Sequence, residues 1–120
     1  MSRIDELNKL GINTSDGLDY TGGDEDFYIE MLQDYVNVKD ERVDELQSLY
    51  DKEAWADYRP GVHSLKSVSR MLGIVDIAES AYGLEKAADA GDTEYIRAHH
   101  DKTVMDYRDM IEKIIPIISS

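Results

Sequence analysis

Apolar residues in this chain recur every three or four positions, and a glycine or a short polar cluster stands where each recurrence stops. Tyr28, Met31, Leu32, Tyr35, Val43, Leu46 and Tyr50 keep that spacing as far as about Asp51. Such spacing lines one face of an α-helix, so a single long amphipathic helix is predicted there. Gly22-Gly23-Asp24-Glu25-Asp26 precedes it and puts acids at a helix start, where backbone N–H groups are unpaired and the dipole is positive. Lys39 falls on the stripe and is expected to lay its stem over apolar surface with its ammonium in water.

After a short break at Asp51 to Glu53, a third helix is predicted from about Ala54 to Leu72. Pro60 lies inside it, followed by Gly61. A helix-interior proline removes a hydrogen bond and crowds the preceding turn, so a kink or restart is expected just before His63. Trp55 and Tyr58 are expected in the core or at the end of the bundle. Gly73 stops this helix, and Asp76 with Glu79 forms a capping-box pattern for the next. There Ile77, Ala78, Ala81, Leu84 and Ala88 make a narrow stripe that Gly91 closes. Asp92 caps a last helix carrying Ile96, His100, Thr103, Tyr107, Ile111, Ile114 and Ile118, with Pro116 loosening its final turn.

Upstream, Ser2 with Asp5 can cap a short helix from Ile4 to Leu10 that ends at Gly11. The segment from Ile12 to Gly23 reads as a turn-containing lead-in with a helical turn at Asp16 to Tyr20. Period-two alternation is absent and the linkers are too short for parallel crossovers, so no strand is expected. The fold class is all-α: an up-and-down antiparallel four-helix bundle with the short N-terminal helix covering one end. Residues 1–120 are expected to form one domain, 1–23 as the lead-in and 24–118 as the bundle. A chain of this length buries a core without disulfides or a structural metal.

Composition removes several functions. With no cysteine there is no thiol nucleophile, no Cys-ligated metal and no disulfide. The 26 acidic residues against 13 basic ones, a formal charge of −13, argue against binding nucleic-acid phosphates, which depends on Lys and Arg displacing counterions. No run of about 18 apolar residues occurs and the N-terminus lacks the layout of a signal peptide, so no membrane association and a cytoplasmic location are expected. No serine stands in a Gly-flanked elbow, and there is no glycine-rich phosphate loop. The adjacent pair His99-His100 resembles a metal fragment, but successive helical residues face different directions; His99 is expected in solvent and His100 at the core edge. No metal or cofactor is expected on this chain.

The stretch from Val62 to Gly73 stands apart. Tyr58, Gly61, Leu65, Val68 and Leu72 gather on one side of a helix there, and Arg59, His63, Lys66, Ser67 and Arg70 on the other. A basic stripe around a histidine, on so acidic a chain, needs a reason. An exposed imidazole titrates near neutrality, and cationic neighbours favour its neutral form, which keeps a nucleophilic lone pair.

These residues resemble the active helix of histidine-containing phosphotransfer (HPt) domains, whose pattern is His-x-Leu-Lys-Gly, a small residue two places later and a glycine ten residues after the histidine. Here they are His63, Leu65, Lys66, Ser67, Ser69 and Gly73. Leu84-Glu85, Ala90-Gly91-Asp92 and an upstream Gly22-Gly23-Asp24 with Phe27-Tyr28 and Leu32 follow in the family's order, so the resemblance spans most of the chain. Ser67 departs from the usual glycine; it is nearly as small and can donate a hydrogen bond to a phosphoryl oxygen.

The resemblance implies that His63, through Nε2, accepts a phosphoryl group from a receiver-domain aspartate and passes it to another, while Lys66 steadies the phosphoryl oxygens. Arg59, Ser64, Ser67, Arg70 and Met71 would form the docking surface. The partner would be the receiver domain of a response regulator or hybrid sensor kinase, which brings the aspartyl phosphate and the Mg2+; the chain itself is expected to be a monomer without kinase activity of its own. Two alternatives stand beside this: the phosphoacceptor domain of a chemotaxis-type histidine kinase, and a non-catalytic helical adaptor that binds receiver domains.

Overall fold

Four helices in this protein begin where a short polar side chain takes up a free backbone N–H. Ser2 accepts from Asp5 N, Asn13 from Asp16 N, Asp24 from Phe27 N and Asp92 from Tyr95 N, each at 3.1 Å. The computed structural model describes residues 2–119, among which there are seven helices and no strand. They are α1 (Arg3–Lys9), α2 (Thr14–Tyr20), α3 (Glu25–Asn37), α4 (Lys39–Asp51), α5 (Trp55–Met71), α6 (Val75–Ala90) and α7 (Thr93–Ile118). No helix among the described residues is long and apolar enough to cross a membrane. The molecule measures 44 × 22 × 20 Å, and α7, about 39 Å long at the usual rise per residue, runs most of its length.

Three local expectations change. The long helix expected up to Asp51 is two helices, α3 and α4, separated at Val38. The run Val36-Asn37-Val38 has poor helix formers, and no fully buried residue lies between Tyr35 and Val43 to anchor this stretch. Pro60, in contrast, neither ends nor restarts α5. It lies in the second turn, and Ala56, whose carbonyl loses its helical partner, is exposed to solvent. The expected capping box at Asp76 and Glu79 is also absent: α6 already starts at Val75, with Ile74 at the cap and no side-chain bond. Packing sets that boundary, because Gly73 turns at φ 78°, Ile74 N bonds to Ser69 O at 2.8 Å and the Ile74 side chain is buried.

Residue pairs across the helices show how they lie. Along α5 and α6, Arg59 meets Asp89, His63 meets Glu85 and Arg70 meets Tyr82, so these two helices run antiparallel. Tyr28 with Leu72, Tyr35 with Ser69 and Arg42 with Ser64 set α3 and α4 antiparallel to α5 as one interrupted rod. The core between them includes Leu32, Tyr35, Leu65, Leu84, Tyr107 and Ile111. His100 lies deeper than a core edge, 1% exposed, with Tyr58 Oη at 2.7 Å from Nδ1, Gln47 Oε1 at 3.2 Å from Nε2 and the Tyr50 ring stacked at 3.9 Å.

The lead-in is pinned at the turn between α5 and α6. Asn13 N donates to Gly73 O at 2.7 Å, and a Cβ on Gly73 would fall 1.9 Å from Asn13 O, so only glycine admits this backbone approach. The seven-residue α1 is too short to persist alone. Complete burial of Leu7 contributes about 2 kcal/mol toward holding it in place.

Candidate functional site

Helix α5 is inward-facing through Tyr58, Val62, Leu65 and Ser69, all buried. That leaves His63 on the outer flank with its side chain 47% exposed. Its neighbours on α5 face three ways. Arg59 and Lys66 turn toward α6. Lys66, Ser67, Arg70 and Met71 line a groove whose other wall is Asp16, Asp19 and Tyr20 around α2. Ser64 points toward α4, where its Oγ accepts from Arg42 Nη1 at 3.1 Å, and it borders a second groove with Gly61, Leu46 and Leu49. The structure therefore brings Lys66, Ser67, Arg70 and Met71 together on one side of His63 and sets Ser64 and Arg59 on others.

The centre of the α5–α6 seam is Glu85, which composition alone does not single out. Its side chain is 6% exposed. Oε2 lies 2.6 Å from His63 Nδ1 and 3.4 Å from Arg59 Nη2, while Oε1 lies 2.7 Å from Lys66 Nζ. Lys66 and Oε1 thus form a close ion pair in the seam. Burial pushes the Glu85 carboxyl up, but Lys66 and then His63 outweigh it and hold the group below its ordinary value of 4.5. Glu85 is thus an ionised acceptor with no proton to give. His63 Nδ1 must carry the hydrogen in this contact, and the lone pair of the neutral ring falls on Nε2. The basic stripe expected around the ring is joined by a carboxylate from α6, which fixes the tautomer and collects the cations.

Arg59 divides between Glu85 and Asp89, its Nε donating to Asp89 Oδ1 at 2.8 Å, so its charge is largely spoken for. Lys66 is only 13% exposed, deeper than a solvated stripe would be, because α6 covers its stem. Arg70 is exposed and reaches toward the ring of Tyr82 on α6. The other histidines take no part: His99 is exposed against Tyr95, and His100 is enclosed in the core. Among the described residues no three His, Cys, Asp or Glu side chains converge as a metal site.

An imidazole with a fixed Nε2 lone pair, half open to solvent and beside an ammonium group, can attack an electrophile carried by a partner and hold the negative charge that arrives with it. Against known proteins, the Hpt domain family matches over residues 30–115. Comparison with curated proteins and with solved structures returns no match.

Proposed function

The chain belongs to the Hpt domain family, whose members carry out phosphotransfer in two-component signalling, and on that premise we propose that it relays a phosphoryl group between receiver-domain aspartates through His63. The carrying observation is the His63 Nδ1–Glu85 contact, which leaves Nε2 as the nucleophile. In the forward step Nε2 forms a bond to phosphorus as the bond from phosphorus to the aspartyl oxygen breaks. The aspartate leaves as a carboxylate with that electron pair, and the Nδ1 proton stays between the ring and Glu85. Lys66 turns from Glu85 to the phosphoryl oxygens as they arrive.

The scaffold for this step is an up-and-down antiparallel bundle of four rods, α3 with α4, α5, α6 and α7, capped at one end by α1 and α2. The receiver domain rests on Ser67, Arg70 and Met71, with Ser64 and Arg59 at the margins, and brings its own Mg2+. A small Ser67 one turn from His63 lets the partner's loop approach. The test is transfer from a receiver domain radiolabelled on its aspartate. Label should appear on the wild-type chain as an acid-labile, alkali-stable adduct and be absent from His63→Gln. Label that stays on the receiver, or reaches His63→Gln equally, refutes the relay and leaves an adaptor.

A further inference from the structure

Two cations beside the site have no acid partner, on a chain where acids outnumber bases two to one. Among the described residues neither Arg70 nor Lys86 forms an ion pair with a carboxylate. Both instead rest on the ring of Tyr82, with Arg70 Cζ at 5.8 Å and Lys86 Nζ at 4.6 Å from its centroid, and Lys66 Nζ stands 5.4 Å from the same ring. Tyr82 is 42% exposed and makes no hydrogen bond through its hydroxyl among the described residues. It lies on α6 one turn before Glu85, so the ring and the carboxylate share the face turned toward α5.

The two kinds of partner have opposite electrostatic consequences. A carboxylate attracts a cation and cancels its charge, as Asp89 and Glu85 do for Arg59. An aromatic face attracts a cation through its quadrupole but carries no net charge, so the field of the cation survives. Held on Tyr82, the cations keep their attraction for an arriving anion; released, they would have abundant carboxylates to fold onto.

We propose that Tyr82 is a positioning residue for the phosphotransfer site, holding Arg70 and Lys86 without a carboxylate partner next to the Glu85-paired Lys66, so that the three form a cationic arc beside His63. The inference rests on the relay reading above. It extends the site onto α6 and gives the ring, not the hydroxyl, the working role.

The probe is phosphoramidate, which needs no receiver. Nε2 of His63 bonds to phosphorus, the P–N bond of the donor breaks, and ammonia leaves. Loading of the full chain is followed at low and high ionic strength for wild type, Tyr82→Phe, Tyr82→Leu and Tyr82→Gln, with circular dichroism as the check on folding; either of the last two variants suffices if the other folds poorly. Tyr82→Leu and Tyr82→Gln should load about threefold more slowly at low salt, the size expected for losing an exposed cation–ring contact. The deficit should shrink at high salt, where the arc is screened, and Tyr82→Phe should match wild type. Wild-type loading in Tyr82→Leu and Tyr82→Gln, a deficit that salt does not reduce, or a Tyr82→Phe as slow as Tyr82→Leu each overturns the proposal. His63→Gln run in parallel separates the two readings: if it loads like wild type, the relay itself fails; if it is inert while Tyr82→Leu and Tyr82→Gln load normally, only the role of Tyr82 fails.

Discussion

Replacing Glu85 separates the two services its carboxylate performs, accepting a hydrogen bond from the ring and balancing the cations. The first is the 2.6 Å contact from His63 Nδ1 to Oε2. A hydrogen bond to a charged group contributes about 1.5–3 kcal/mol, and the lower end applies because His63 is half open and water competes. That bias toward the tautomer with its lone pair on Nε2 corresponds to roughly tenfold in rate. Glu85→Ala should therefore slow phosphoramidate loading about tenfold, while Glu85→Gln, whose amide oxygen can still accept from Nδ1, should lose no more than about threefold. The second service appears in stability. Removing one member of a buried ion pair costs about 3–5 kcal/mol. Here Arg59 and His63 can rehydrate and only Lys66 is well covered, so about 2 kcal/mol is expected for Glu85→Ala. Loading is read by the mass of the intact protein against time, and stability by urea unfolding. Wild-type loading in Glu85→Ala with the stability loss intact would show that the carboxylate only braces the seam. Equal slowing in both variants would make charge, not the accepting oxygen, the operative feature.

Gly73→Ala should destabilise the protein by about 2 kcal/mol or more, since the new Cβ meets Asn13 O at 1.9 Å and the turn needs φ 78°; a urea midpoint equal to wild type would show that the lead-in is not pinned there. Burial lowers the His100 pKa from 6.5 despite Asp101 and Asp51, so the unfolded chain binds this proton more readily than the native one. Stability from this group is complete above pH 6.5 and declines as pH falls below it toward the depressed native value. Urea midpoints of wild type should fall between pH 7.5 and pH 5.5 more steeply than those of His100→Gln, and parallel pH profiles would contradict this.

The helices were legible because their punctuation is local: a capping Asp24 or Asp92 and a turning Gly73 or Gly91 act through their immediate neighbours. The interruption at Val38 was not, because the apolar stripe resumes in register at Val43 and spacing alone cannot reveal a one-residue lapse in backbone order. Asp76 misled for the converse reason: a good local capping pattern gave way to the buried Ile74, a tertiary effect. At the site, the stripe carrying His63 and Lys66 could be read from helical geometry on α5 alone. Glu85 entered only as part of the resemblance, beside Leu84 and without a role, since in a chain with 26 acids one more carboxylate carries little signal of its own. Its clue was positional: it follows Leu84 and stands four residues after Ala81, on the buried side of α6, where a charge needs partners. The Tyr82 cluster was out of reach, because it depends on how α5 and α6 are rotated against each other.

The unbroken course of α5 through Pro60 has a consequence for signalling. On the relay proposed above, the nucleophile would stand half open to solvent on a continuous helix, which has no break on which a new phosphoryl group could act. Loading at His63, as proposed, would then change the charge of the surface more than its shape, and a partner would have to read the modification itself. On that reading no free energy would be banked in a conformational change, and the same surface could serve transfer in either sense.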